Sequence, residues 1–276
     1  MFLFMLLTEE NPFDSVDGYL GLFWFVLPFV VVLSAIIIGL LNRYEIIVLK
    51  TVQYFFPLNQ VRVDILNESF PYYKKLSSRN QRKFRNRVHH FLINKKIEST
   101  EYDVTEEMRV LIAATAIQIL FGLEPYYLSY FGNIILVEKQ IENKFMTKKS
   151  PIHISWEDFD EGHSFLTSGY NPGLRILSVA FKLEQGLNEL SKHMFLSNRH
   201  YEFNMLYKRE AEKYISSGKA TYDDYSDVDR NAYFGVAVEY FFERPIHFQA
   251  NQPAMYEALS RLLQQDPLGR FKYKRF

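Results

Sequence analysis

The stretch Tyr19–Leu41, YLGLFWFVLPFVVVLSAIIIGLL, contains no charged residue. At about 1.5 Å per helical residue it reaches roughly 35 Å, enough to cross a hydrocarbon core of about 30 Å. Core helices of soluble domains rarely run so far without a charge. Pro28 is tolerated, because a membrane helix can absorb a kink. Tyr19 and Trp24 lie near one end and Tyr44 near the other, as interfacial aromatics do. A cleaved secretory signal fits poorly: the apolar run is too long, no basic stretch precedes it, and no small-x-small site follows. Glu9, Glu10, Asp14 and Asp17 come before the run, and Arg43, Lys50 and Arg62 come after it. The positive-inside bias therefore places residues 1–18 outside and the rest of the chain in the cytoplasm. The expectation is a single-pass membrane protein: residues 19–41 span, 42–69 form a juxtamembrane linker, and 70–276 form the folded domain.

That domain must carry the chemistry. The chain has 276 residues, no net formal charge and no cysteine. Balanced charge gives no general attraction to nucleic acid, so no nucleic-acid partner is expected. The lack of cysteine excludes disulfides and thiolate metal sites. The 25 Phe and 19 Tyr supply volume for a large core.

Helical spacing recurs through the domain. Ser78-Arg79-Asn80-Gln81 has the form of a capping box, a hydroxyl followed by Gln three residues on. Phe84, Val88, Phe91 and Leu92 then share one face, while Arg79, Arg82, Lys83, Arg85 and Arg87 give a basic face read as solvated. Thr105 caps a second helix, apolar almost all round to Phe121 and closed by Gly122. NIILVE at Asn133–Glu138 and His153–Trp156 read as short strands, and the acidic cluster Glu157, Asp158, Asp160 and Glu161 reads as a solvated turn. Gly162–Gly173 is a loop. Asn171 caps a buried helix over NPGLRILSVAFKLEQG, with Pro172 at its first position. Residues 203–215 read as a polar helix and Tyr222–Arg230 as an acidic loop. Further helices follow over Asn231–Glu243 and Pro253–Leu263. The fold class is α+β, mostly α, with a small sheet.

No histidine pair has the i, i+4 spacing that lets two imidazoles grip one metal from a helix face. No glycine-rich phosphate loop and no Gly-x-Ser-x-Gly elbow occur. Glu239 is the exception among the acids, because it sits in AYFGVAVEYFF, a helix apolar on nearly all sides. A carboxylate there must be paired, protonated or facing a cavity. The structural alternative to a site role is a buried Glu bonded to a Tyr or Arg.

Three blocks of this chain resemble the Mlc titration factor A family, zinc-dependent peptidases of the zincin type. They are LSSRNQRKFRNRVHHFLINKKIE with VTEEMRVLIAATAIQILFGL, then NIILVE with HISWEDF, then NAYFGVAVEYFFERPIHFQANQPAMYEALSRLLQQDP. The family places a His-Glu-x-x-His helix between the second and third blocks, where this chain reads LSVAFKLE. The resemblance therefore implies a zincin-like domain in which Leu177 and Phe181 replace the two metal histidines. Ser178 replaces the catalytic glutamate, and Glu239 matches the third zinc ligand. Glu184 stands at an acid that often follows the motif, and Tyr225 matches a tyrosine before the helix that carries Glu239. Leu and Phe cannot bind zinc, and Ser178 is a poor general base. The resemblance thus implies a pseudopeptidase without cofactor, using a degenerate groove to bind a protein or peptide partner, of the transcriptional-regulator kind. The alternative is an active zinc peptidase with relocated ligands such as Glu184, Glu239 and His163.

Overall fold

A computed structural model describes residues 23–34, 36–37, 57–123, 126, 128, 131–138, 151–164, 170–187, 201–203, 205–206, 209 and 230–269. It divides into two compact units, Met1–Phe56 and Pro57–Phe276.

In the first unit, residues 23–34 are helical and their large apolar side chains stand exposed. Phe23 and Trp24 meet edge to face, and Phe25 reaches Phe29 one turn on. Among the described residues no helix is long and apolar enough to cross a membrane. The remainder of the apolar run 19–41, apart from 36 and 37, lies outside the described residues.

The second unit begins with a departure from expectation. The stretch taken as a linker contains α1 (Gln60–Ser69), capped by Asn59, whose side chain accepts from the Val61 N–H. Leu66 is buried, and α1 packs on the core. One large apolar anchor and a good cap suffice for a helix when a neighbour supplies the apolar face.

After the short α2 (Pro71–Lys74), α3 runs over Ser78–Asn94. Its cap is Ser77, whose Oγ accepts from the Asn80 N–H at 3.5 Å, so the expected capping box at Ser78 is corrected by one residue. Phe84, Val88 and Phe91 are buried as their spacing requires. The other face is not simply solvated. Arg87 is only 2% exposed and donates to the Leu120 and Phe121 carbonyl oxygens at 3.2 and 2.9 Å. It closes the carboxyl end of the next helix, whose last carbonyls have no partner within the helix. Its guanidinium also lies 4.0 Å from the Tyr126 ring centroid. Arg85 donates to the Tyr73 hydroxyl at 2.7 Å.

The central helix is α4 (Glu106–Leu120). Thr105 caps it by accepting from the Met108 N–H at 3.2 Å, and every residue from Val110 to Leu120 is buried. At its end, a Cβ on Gly122 would fall 2.2 Å from the Leu263 carbonyl oxygen. Only glycine permits that approach.

Three parallel strands lie in the order β1 (Lys96–Ser99), β2 (Asn133–Val137), β3 (Ile152–Ser155). Ile97 pairs with Ile134, and Leu136 with Ile154. The four residues of β1, KIES, carry no strand signal of their own; pairing with the apolar β2 makes them a strand. The acidic cluster read as a turn belongs to α5 (Trp156–Ser164). Ser155 ends the strand and accepts from the Asp158 N–H at 3.2 Å, opening this helix, and Glu157 and Asp158 then sit at the positive end of its dipole.

Next come α6 (Pro172–Leu187), α7 (Arg230–Glu243), α8 (Pro245–Asn251) and α9 (Pro253–Leu263). The core is formed by α6 lying between α4 and α7. The architecture is mostly helical with one small sheet, as expected.

Candidate functional site

The site lies where α6 meets α7. Asn171 caps α6 by accepting from the Leu174 N–H at 3.1 Å, and Pro172 is its first residue. The two helices run antiparallel: Arg175 and Asn171 lie by Glu239, while Phe181 and Lys182 lie by Phe234. Their backbones come close at Gly235, where a Cβ would stand 2.8 Å from the Arg175 carbonyl oxygen. That approach brings Glu239, one turn further along α7, against the start of α6.

Glu239 is fully buried. One carboxylate oxygen accepts from the Asn171 backbone N–H, and the other accepts from Arg175 Nε at 2.5 Å. Burial pushes its carboxyl above the ordinary value; the Arg175 charge and the Asn171 N–H oppose this. Arg175 also lies over the Tyr170 ring, 5.2 Å from its centroid. Glu243, one turn on, accepts from Asn171 Nδ2 at 2.9 Å. Burial raises Glu243 too, and the nearby Glu239 charge adds to the rise, against the Asn171 bond and Lys75.

These shifts set a pH dependence. A carboxyl whose pKa is higher in the folded state binds its proton more tightly there, so its protonation favours folding. Stability therefore falls as pH rises from the ordinary glutamate value of 4.5 through the raised values of Glu239 and Glu243. Glu243→Gln keeps an acceptor for Asn171 and removes one of the two charges. It is expected to flatten this decline, with its gain over wild type growing toward neutral pH in urea unfolding series. A gain that is the same at every pH counts against the coupling.

Leu177, Ser178 and Phe181, expected at metal-motif positions, are all buried in the core. Leu177 is 0% exposed and Phe181 1%, and the Phe181 ring lies 6.4 Å from that of Phe234, which in turn meets Phe203 edge to face. Ser178 is fully buried and its Oγ has no hydrogen-bond partner among the described residues. Among the described residues nothing bonded to it can take its proton. Glu184 is buried toward the end of α6, away from Glu239. Its charge acts on Lys95, partly offsetting the fall that burial imposes on that amine. Tyr225 lies outside the described residues, as does the side chain of His163.

This donor set does not fit zinc. Leucine and phenylalanine offer no lone pair, and Glu239 has both oxygens engaged by protein donors. Among the described residues no three His, Cys, Asp or Glu gather as metal ligands. Sequence reasoning singled out Glu239 and its need of a partner but missed Arg175. Its only signal is a cation one turn past the cap of an otherwise apolar helix.

The sequence pattern of the family described as glucose-regulated metallo-peptidase M90 matches residues 52–169 and 146–264. The chain belongs to that family. It is also 27% identical over 142 residues to Mlc titration factor A of Pectobacterium atrosepticum, a stretch covering 49% of this chain and 52% of that protein. The chain thus spans about half the length of this curated relative.

Proposed function

We propose that this M90-family chain has lost peptidase chemistry and acts by binding a protein or peptide partner, tethered to a membrane by residues 19–41. The observation that carries this reading is the state of Glu239. A third metal ligand must present a lone pair to the ion, whereas this carboxylate is buried in a bond to Arg175 and a backbone N–H. Leu177 and Phe181, which the resemblance puts at the two histidine positions, are buried apolar side chains. A framework kept without its reactive groups retains shape and surface, which are what binding needs. The partner class follows from kinship: the relative's name describes a factor that titrates Mlc, and the partner proposed here is a protein of the transcriptional-regulator kind. The membrane tether rests on the uncharged run and on the exposed apolar faces of residues 23–34. The orientation rests on the acidic residues before the run and the basic ones after it.

The test is metal content and peptidase activity of the purified full chain. The expected result is zinc well below one ion per chain and no hydrolysis after zinc is added. Stoichiometric zinc, with hydrolysis abolished by Glu239→Ala, overturns the reading. A reporter fused after Phe276 should be active only in the cytoplasm; activity outside refutes the orientation.

A further inference from the structure

The second unit carries its positive charge unevenly. Residues 69–97 include nine Lys and Arg and no Asp or Glu. Most of these cations are engaged by the protein itself. Arg87 closes the end of α4, Lys95 donates to the Leu128 carbonyl oxygen, and Lys74 donates to that of Glu68. Lys96 pairs with Glu98, Lys75 acts on Glu243, and Lys83 lies over the Phe121 ring. Arg79, Arg82 and Arg85 remain, all on α3. Arg79 and Arg82 are exposed, and half-buried Arg85 donates to the neutral Tyr73 hydroxyl. Among the described residues none of the three pairs with a carboxylate.

Helical spacing puts these charges on one side. Phe84, Val88 and Phe91 face the core, so Arg79, Arg82, Asn86 and Ile93 turn outward, with Arg85 at the margin. Ile93 is 55% exposed. The start of α1 borders the same face, because the Arg62 charge acts on His89, which lies along it. Val61, next to Arg62, is 57% exposed. The face thus combines unpaired guanidiniums with exposed aliphatic side chains.

We propose that this outer face of α3 lies on the anionic headgroups of a phospholipid surface. The guanidiniums of Arg79, Arg82 and Arg85 meet lipid phosphates, whose oxygens match their forked donors. Ile93 and Val61 reach toward the boundary with the acyl chains, as the apolar residues of interfacial helices do. Nucleic acid would use the guanidiniums equally well, but its phosphate backbone offers nothing to exposed aliphatic side chains. The face also belongs to the elements that open the second unit, the part of it nearest in sequence to the uncharged run 19–41. Basic residues that follow a membrane anchor are drawn to anionic lipid, each contributing about fivefold in affinity. The proposal deepens the membrane tether given above, and rests on it.

The chain has no cysteine, so a single introduced one takes a fluorophore alone. The full chain is reconstituted in nanodiscs of phosphatidylcholine, or of phosphatidylcholine with about 30 mol% phosphatidylglycerol, each doped with a lipid whose headgroup carries a nitroxide quencher. One label is placed by Ser78→Cys, at an exposed position on this face. A control label is placed by Asp160→Cys, exposed on α5, which packs on α6 and β3. The label at position 78 is expected to be quenched about threefold more in the anionic discs, and the label at 160 equally in both. Arg79→Glu with Arg82→Glu, checked for folding by circular dichroism, is expected to abolish the difference, as is salt at about 1 M. Arg79→Lys with Arg82→Lys is expected to keep most of it. Equal quenching at position 78 in the two lipids, or a rise shared by both labels, overturns the face and leaves the tether standing. Loss of the chain from neutral discs on gel filtration overturns the tether. Shielding of the label at 78 by a DNA duplex, with no response to phosphatidylglycerol, overturns lipid as the occupant.

Discussion

Glu239→Ala is expected to lower the unfolding free energy of the second unit by about 2–3 kcal/mol, and its melting temperature by roughly 5–10 °C. Removing one partner of a fully buried ion pair ordinarily costs about 3–5 kcal/mol, because the other charge is left desolvated and alone. Here the survivor is Arg175, whose side chain is 38% exposed, so it can turn to water and recover part of that cost. The Asn171 N–H has no such escape. It is buried, and an unpaired buried donor costs about 1–3 kcal/mol. Glu239→Gln keeps an acceptor for that N–H and should fall between wild type and the alanine variant. Urea unfolding measures both. If Glu239 instead held a metal, a chelator would shift the wild-type transition; the expectation is that EDTA leaves it where it is. An alanine variant within about 0.5 kcal/mol of wild type removes the bracing role.

Phe181→Ala should be costlier, at about 3–5 kcal/mol, because a fully packed ring is lost from between α6 and Phe234 and the backbones held at Gly235 cannot close the cavity. This effect bears directly on function. Rebuilding the family motif by Leu177→His, Ser178→Glu and Phe181→His places two imidazoles and a carboxylate where the protein has apolar volume. The triple variant is expected to unfold at lower denaturant than any of its single substitutions and to bind zinc poorly. Arg175 is the second obstacle under the proposed reading, since it holds the Glu239 carboxylate that the resemblance matches to a third ligand. Adding Arg175→Ala to the three reversions should raise zinc uptake above that of the triple variant, read by metal analysis after gel filtration. Full zinc occupancy in the triple variant alone means that Arg175 is no obstacle.

Much of this arrangement is written locally. Asn171 before Pro172 is a helix start whatever surrounds it, because the side-chain oxygen serves an N–H three residues on. Thr105 works the same way. The run of α4, apolar but for Thr115 and Gln118, leaves it no place but the centre. Glu239 announced itself, since no carboxylate sits unpartnered in such a helix without cost. Other features are not local. KIES becomes a strand only because Asn133–Leu136 lies beside it. Residues 60–69 become a helix of the domain because Leu66 finds the core. Arg87 has the same sequence signature as the other basic residues of α3, and only the end of α4 makes it a buried cap.

The sequence by itself determined the family and the need of Glu239 for a partner, the first from its residue blocks and the second from the chemistry of a carboxylate in an apolar helix. Only the tertiary structure decided who that partner is and what packs around Leu177 and Phe181. Arg175 lies 64 residues from Glu239 along the chain, and a hydrogen bond joins residues as far apart as Tyr72 and Gln265. Such pairings depend on the close approach of two helices at Gly235 and on one glutamine reaching back to α4. No local pattern encodes them, because the free energy that fixes them comes from burial shared between distant segments.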